Sequence, residues 1–183
     1  KVTVEVFRDL GIAFGAALVM IYILLVAQTG SLAVPLIMML AIPLTMIGVF
    51  PGFWFLNLFA PAVGGIPNPI FFTATGMIGL ITLSGIVVRN SILLIDFIDL
   101  LRKEGKSLEE AVVEAGATRL RPILLTAGTS VMGAWVIVFD PVFSGMAWSF
   151  VFGIFASTGF TLLVVPTAYY LMIRLIEGGD AAA

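Results

Sequence analysis

Arg89 is the residue in this sequence that asks most of its surroundings. It stands in an apolar run from about Ile70 to Phe97, and a central Arg, Lys or Asp in a spanning segment costs about 2.5–3.5 kcal/mol on insertion scales. Thr75, Thr82 and Asp96 share its seven-residue spacing. A helix drifts only ~20° per heptad, so the four would form one nearly straight polar stripe. Such a stripe must face protein or water, and it marks an ion or proton pathway. The guanidinium is effectively never deprotonated. Arg89 would therefore act as a fixed cation that binds and releases a carboxylate, with the amide of Asn90 beside it. A plainer reading stands next to this one. Counted from Ile70, Arg89 is 19 residues along, or ~28 Å at helical rise, which puts it in the cytoplasmic half of the span. From there its head could snorkel to the headgroups as an anchor.

The stripe lacks a partner within the chain. Asp96 is seven residues from Arg89, ~10 Å along a helix axis and too far for a direct bond. Thr126, Thr129 and Ser130 bring hydroxyls on a later apolar run, but no acid lies mid-span. The carboxylate is expected on another segment or another chain. Gly76 and Gly79 lie beside the stripe, where a neighbouring helix could approach closely.

Other chemistries are poorly served. Cysteine and histidine are both absent. This removes disulfides, zinc sites, iron–sulfur clusters, His-ligated haem and every nucleophilic triad built on Cys or His. No two acids sit at matching depths as an intramembrane protease would need. We expect no enzyme activity, no cofactor and no metal. A net charge of −2 without a basic tail gives no reason to expect nucleic acid as a partner.

The elements that must position these residues follow from composition. Of 183 residues, 61% are hydrophobic and only 11% charged, against about 25% charged in soluble domains. A spanning helix needs roughly 20 apolar residues. Five runs qualify, at about 10–27, 33–58, 70–97, 122–139 and 147–173. The expected fold is all-α: a single transmembrane domain over 1–183, five helices in a lipid bilayer. Gln28-Thr29-Gly30-Ser31 reads as a turn. Pro61, Gly64, Gly65, Pro67 and Pro69 make a stretch no helix could cross, and Asp140-Pro141 ends the fourth run. Pro35, Pro43 and Pro51 predict a bend in the second. Trp54 and Trp148 suit an aromatic belt at the outer face.

The one long hydrophilic stretch, 99–121, holds Arg102, Lys103, Lys106, Arg119 and Arg121. Within it, Ser107-Leu108-Glu109-Glu110 has the capping-box pattern, apolar residues follow at helical spacing, and Gly116 could stop the helix. This predicts a short amphipathic helix on the cytoplasmic membrane surface, with a plain solvated connector as the alternative. Five of the nine Lys/Arg residues fall here, which by the positive-inside rule puts the N-terminus outside and the C-terminus in the cytoplasm. From the polar start at Lys1 we expect no signal peptide, and the Gly-Gly-Asp-Ala ending reads as a frayed or trimmed terminus. An outside N-terminus suits a chain preceded by a further span.

Three motifs carry a resemblance. Gly76-Met-Ile-Gly-Leu-Ile-Thr-Leu-Ser-Gly-Ile-Val-Val-Arg-Asn-Ser-Ile-Leu-Leu-Ile-Asp-Phe97, Glu110-Ala-Val-Val-Glu-Ala-Gly-Ala-Thr-Arg-Leu-Arg-Pro-Ile-Leu-Leu-Thr126 and Val164-Val-Pro-Thr-Ala-Tyr-Tyr170 resemble segments of the resistance-nodulation-division (RND) efflux permeases. Their order fits the last five spans of that family. The resemblance implies a bacterial inner-membrane antiporter that works as an oligomer and exports substrate against an inward flow of protons. It maps the family's basic relay residue onto Arg89, where drug exporters have Lys, a neighbouring amide onto Asn90, a relay hydroxyl onto Thr126 and a basic residue at the cytoplasmic end onto Arg119. Asp96 joins these as a relay candidate through the stripe. The acidic pair of the first half and the periplasmic substrate regions have no counterpart here. The expected partners are therefore the first half of the permease or other membrane-protein chains. The expected role is the basic side of a proton relay. The alternative is a non-catalytic transmembrane scaffold subunit, derived from such a transporter, in a larger membrane complex.

Overall fold

The computed structural model describes residues 2–59 and 71–180, with side chains for 3–59 and 71–175. The Pro- and Gly-rich stretch from Pro61 to Pro69 lies outside the described residues. Among the described residues five long helices follow one another: α1 (Val2–Thr29), α2 (Ala33–Leu58), α3 (Ala74–Lys103), α4 (Leu108–Trp135) and α5 (Ser144–Asp180), with a 3-10 turn, Ile137–Phe139, after α4. All five are long and apolar enough to cross a membrane. The all-α membrane bundle holds.

Local chemistry sets the helix ends. Gly30, at φ 63°, closes α1 with a bond from its N–H to the Val26 carbonyl. Pro35 falls in the first turn of α2, where its missing N–H would have had no partner anyway. α2 then runs unbroken through Pro43 and Pro51. At the far end of α4, one Asp140 carboxylate oxygen accepts from the backbone N–H groups of Val142 (2.8 Å) and Phe143 (2.9 Å), which turns the chain into α5.

The connection between α3 and α4 differs from the sequence expectation. Residues 99–121 are not a loop with a separate surface helix. α3 continues to Lys103 and ends in a Schellman motif: Lys106 N–H reaches the Leu101 carbonyl and Gly105 N–H that of Arg102, with Gly105 at φ 92°. The capping box at Ser107 and Glu110 then starts α4 at once. Gly116 does not stop α4, which passes through it and Pro122 into the apolar span. A helical Gly costs only about 1 kcal/mol relative to Ala, and the sealed N-terminus together with the apolar run beyond outweighs that. The polar residues here are outward extensions of two spanning helices.

α3 is the hub: it touches every other helix, while α5 lies against α2, α3 and α4. Small residues allow the closest approaches. A Cβ on Gly48 would lie 2.0 Å from Ala156 Cβ, and one on Gly153 would lie 2.1 Å from Leu83 Cδ2 and 3.1 Å from Val49 Cγ2. Around this centre pack Met38, Val49, Leu83, Leu94, Ile98 and Val165, all essentially inaccessible.

Candidate functional site

The face of α3 opposite this core is open. Ile78, Thr82, Gly85, Arg89, Leu93 and Asp96 are exposed along it, whereas Leu83, Val87, Ser91 and Leu94 point inward. Three members of the heptad stripe thus share one uncovered strip. The core side seats α3 on α5: a Cβ on Gly79 would come 2.7 Å from the Met146 carbonyl oxygen, and one on Gly76 3.0 Å from Ser149 Oγ.

α4 packs antiparallel along one edge of the open strip and makes a groove with it in two parts. Nearer the α4–α5 turn, a first cavity of about 330 Å³ is lined by Gly79 and Thr82 from α3, by Ser130 and Gly133 from α4 and by Met146, Ala147 and Phe150 from α5. Nearer the α3–α4 turn, a second cavity of about 280 Å³ is lined by Arg89, Asn90 and Leu93 from α3 and by Arg119, Pro122, Ile123 and Thr126 from α4. Four of the five residues singled out from the sequence meet here. Asp96 does not line the cavity; it is exposed further along the strip.

Electrostatically this second cavity is one-sided. It holds two guanidinium groups and no carboxylate. Among the described residues Arg89 makes no hydrogen bond or ion pair, whereas Arg8 pairs with Asp9 and Lys106 with Glu114. Arg119 lays its guanidinium over the Phe97 ring, 4.6 Å from the centroid, and its Nε is buried without a partner. The hydroxyls are self-satisfied: Thr126 donates to the Pro122 carbonyl (2.9 Å), Thr82 to that of Ile78 (3.0 Å), and Thr129 to those of Leu125 and Thr126. Asn90 is 9% exposed. The geometry can hold an anionic group presented from outside the chain, with hydroxyls close enough to take part after a rotamer change.

Sequence reasoning missed two contacts of this region. The Phe97 platform under Arg119 joins two helices and has no sequence signal. Nor does the pairing of buried Tyr169 on α5 with Asp99 on α3, whose partners are 70 residues apart.

Comparison with known proteins decides the family. Residues 5–173 match the AcrB/AcrD/AcrF family. The chain belongs to that family. This makes it a member of the RND efflux transporters, as the three motifs implied. It is 35% identical over 175 residues to the swarming motility protein SwrC of Bacillus subtilis, covering 92% of this chain and 15% of that protein. To the cobalt-zinc-cadmium resistance protein CzcA of Cupriavidus metallidurans it is 32% identical over 169 residues, covering 90% of this chain and 15% of the relative. To the multidrug resistance protein MdtF of Escherichia coli it is 30% identical over 168 residues, covering 88% and 15%. The chain therefore spans about 15% of the length of these relatives. A solved heavy metal efflux pump shares the fold, with a TM-score of 0.73 at 24% identity, covering 91% of this chain and 16% of that one. The AcrB-family bundle and five apolar helices make this an integral membrane chain of efflux-transport ancestry.

Proposed function

We propose that this chain is the C-terminal transmembrane part of an RND-type proton-driven efflux permease, in the bacterial inner membrane, and supplies the basic side of its proton relay. One observation carries the reading: Arg89 stands on the open strip of the hub helix, beside Asn90, Arg119 and Thr126, with no carboxylate partner among the described residues. In this reading a carboxylate from the permease's first half completes the strip. Two unit charges 4 Å apart attract by ~4 kcal/mol at an effective dielectric constant near 20. Protonating the carboxylate removes that attraction, and the guanidinium turns toward the Thr126 and Asn90 groups within the cavity. Arg89 thus switches partners without losing its own proton. Repeated loading and release would move α3 against the missing helices and so work the pump.

The test is transport by the intact protein in proteoliposomes under an imposed pH gradient, with ethidium and Zn²⁺ as probes because the relatives' names span multidrug and metal resistance. Arg89→Leu is expected to abolish gradient-driven movement of whichever probe is carried, and Arg89→Lys to keep part of it. Unchanged transport in Arg89→Leu defeats the relay. The intact mass in the native membrane checks the scaffold alternative, since a free-standing subunit would show about the chain's own 19.5 kDa.

A further inference from the structure

α3 and α5 run parallel, and their contacts keep nearly one register from end to end. Gly79 meets Met146, Gly76 meets Ser149, Leu83 meets Gly153, and Asp99 meets Tyr169. The first three contacts are steric; the fourth is polar. Tyr169 is 3% exposed, and its hydroxyl donates to an Asp99 carboxylate oxygen, with the Arg102 side chain alongside. A tyrosine hydroxyl buried in a membrane bundle must find an acceptor, and this one finds it on the helix that carries Arg89. Asp99 is ten residues past Arg89, ~15 Å along the axis, so it cannot be the partner of Arg89. It can, however, fix the inner end of the helix.

We propose that Asp99 and Tyr169 are positioning residues for Arg89. Their hydrogen bond pins the cytoplasmic end of α3 to α5, completes the glycine-based clamp at the outer end, and sets the rotation at which the polar strip faces outward. The proposal rests on the relay reading above for what Arg89 does, though not for the pinning itself. The bond belongs to two side chains on separate helices, so it can be removed one oxygen at a time.

The chain has no cysteine, so its own residues give no labelling background, and any cysteine elsewhere in the intact protein is first replaced by serine. In the intact protein in lipid nanodiscs, Leu100→Cys with Leu171→Cys reports the inner ends of α3 and α5, and Ile78→Cys with Phe155→Cys reports a stretch flanking the Leu83–Gly153 contact. All four side chains are exposed. We expect one narrow inner distance with Tyr169 and Asp99 in place. Tyr169→Phe is expected to raise the share of a second, longer distance about tenfold, as losing a hydrogen bond to a charged group would, while the control pair stays unchanged. Asp99→Asn keeps an acceptor oxygen and should keep the narrow distance. An unchanged inner distance in Tyr169→Phe, or equal broadening of the control pair, overturns the proposal. In the proteoliposome assay Tyr169→Phe should lower kcat with KM for the carried probe unchanged, and Asp99→Asn should restore the Asp99→Leu loss; a fall in Tyr169→Phe confined to KM also overturns it. If Arg89→Leu transports normally while the distance result holds, the relay reading has failed and the pin stands.

Discussion

A methyl group at Gly48 is predicted to cost about 2 kcal/mol, and the structure says why. A Cβ placed there lies 2.0 Å from Ala156 Cβ and 3.4 Å from both Ala156 Cα and the Phe152 carbonyl oxygen. Carbon atoms prefer ~3.5–4.0 Å, so α2 and α5 would have to part by roughly 1.5–2 Å. Neither side can bend away, because both contacting atoms are methyl carbons fixed to helix backbone. Overpacking of this kind costs typically about 1–3 kcal/mol, here near the upper end. Ala returns about 0.5–1 kcal/mol through its better helix propensity, leaving a net loss of about 2 kcal/mol. The seam would also loosen at Gly52, where Phe152 fills the notch, and at Gly153, where Val49 does. Unfolding in mixed micelles by SDS, followed by circular dichroism, measures the loss. Gly128→Ala is the control, since nothing lies within 4 Å of that position, and it should be neutral or stabilising. Adding Ala156→Gly to Gly48→Ala removes the colliding carbon and should recover most of the loss in a double-mutant cycle. If Gly48→Ala proves as stable as the wild type, the close α2–α5 packing described above is wrong.

Two further outcomes follow from the end of the bundle where α3 turns into α4. Ser107→Ala removes the hydroxyl that accepts the Glu110 N–H and donates to the Glu110 carboxylate; it should destabilise the start of α4 by about 1 kcal/mol, seen as faster amide exchange over residues 108–112. Phe97→Leu removes the ring beneath Arg119 and should cost about 0.5–1 kcal/mol in the same micelle unfolding assay, while Arg119→Lys should lose less than Arg119→Ala.

The spans, the turn at Asp140 and the capping box were legible because each is a local signal. An apolar run needs no knowledge of its neighbours, and the Ser107–Glu110 bonds close within three residues. The heptad spacing of Thr82, Arg89 and Asp96 likewise told which residues share a side of α3. It could not tell that α4 borders that side and that α5 covers the opposite one, because helix pairing depends on shape matched across dozens of residues. The 99–121 stretch was misread for a related reason. Gly116, Pro122 and a row of charges all argue against a helix locally, but continuity is settled by how the ends are sealed and by the apolar run that follows. Thr126 and Arg119 had meaning in the sequence only through resemblance; their shared cavity with Arg89 became visible when α3 and α4 were set side by side.

The parallel pairing of α3 with α5 carries a cost in time. Two neighbouring helices that point the same way cannot be joined by a short hairpin, so the chain must cross the bilayer again, as α4, before the second can form. Asp99 and Tyr169 are separated by 70 residues, and at about 5–20 residues per second of synthesis the wait is roughly 4–14 s. Throughout that interval the hub helix lacks its main companion. The glycine face of α3 and the Asp99 carboxyl must be accommodated by lipid, water or the insertion machinery until α5 arrives. Assembly of this bundle is therefore gated by α5, and a ribosome stalled before it would leave a chain that has inserted but cannot yet close.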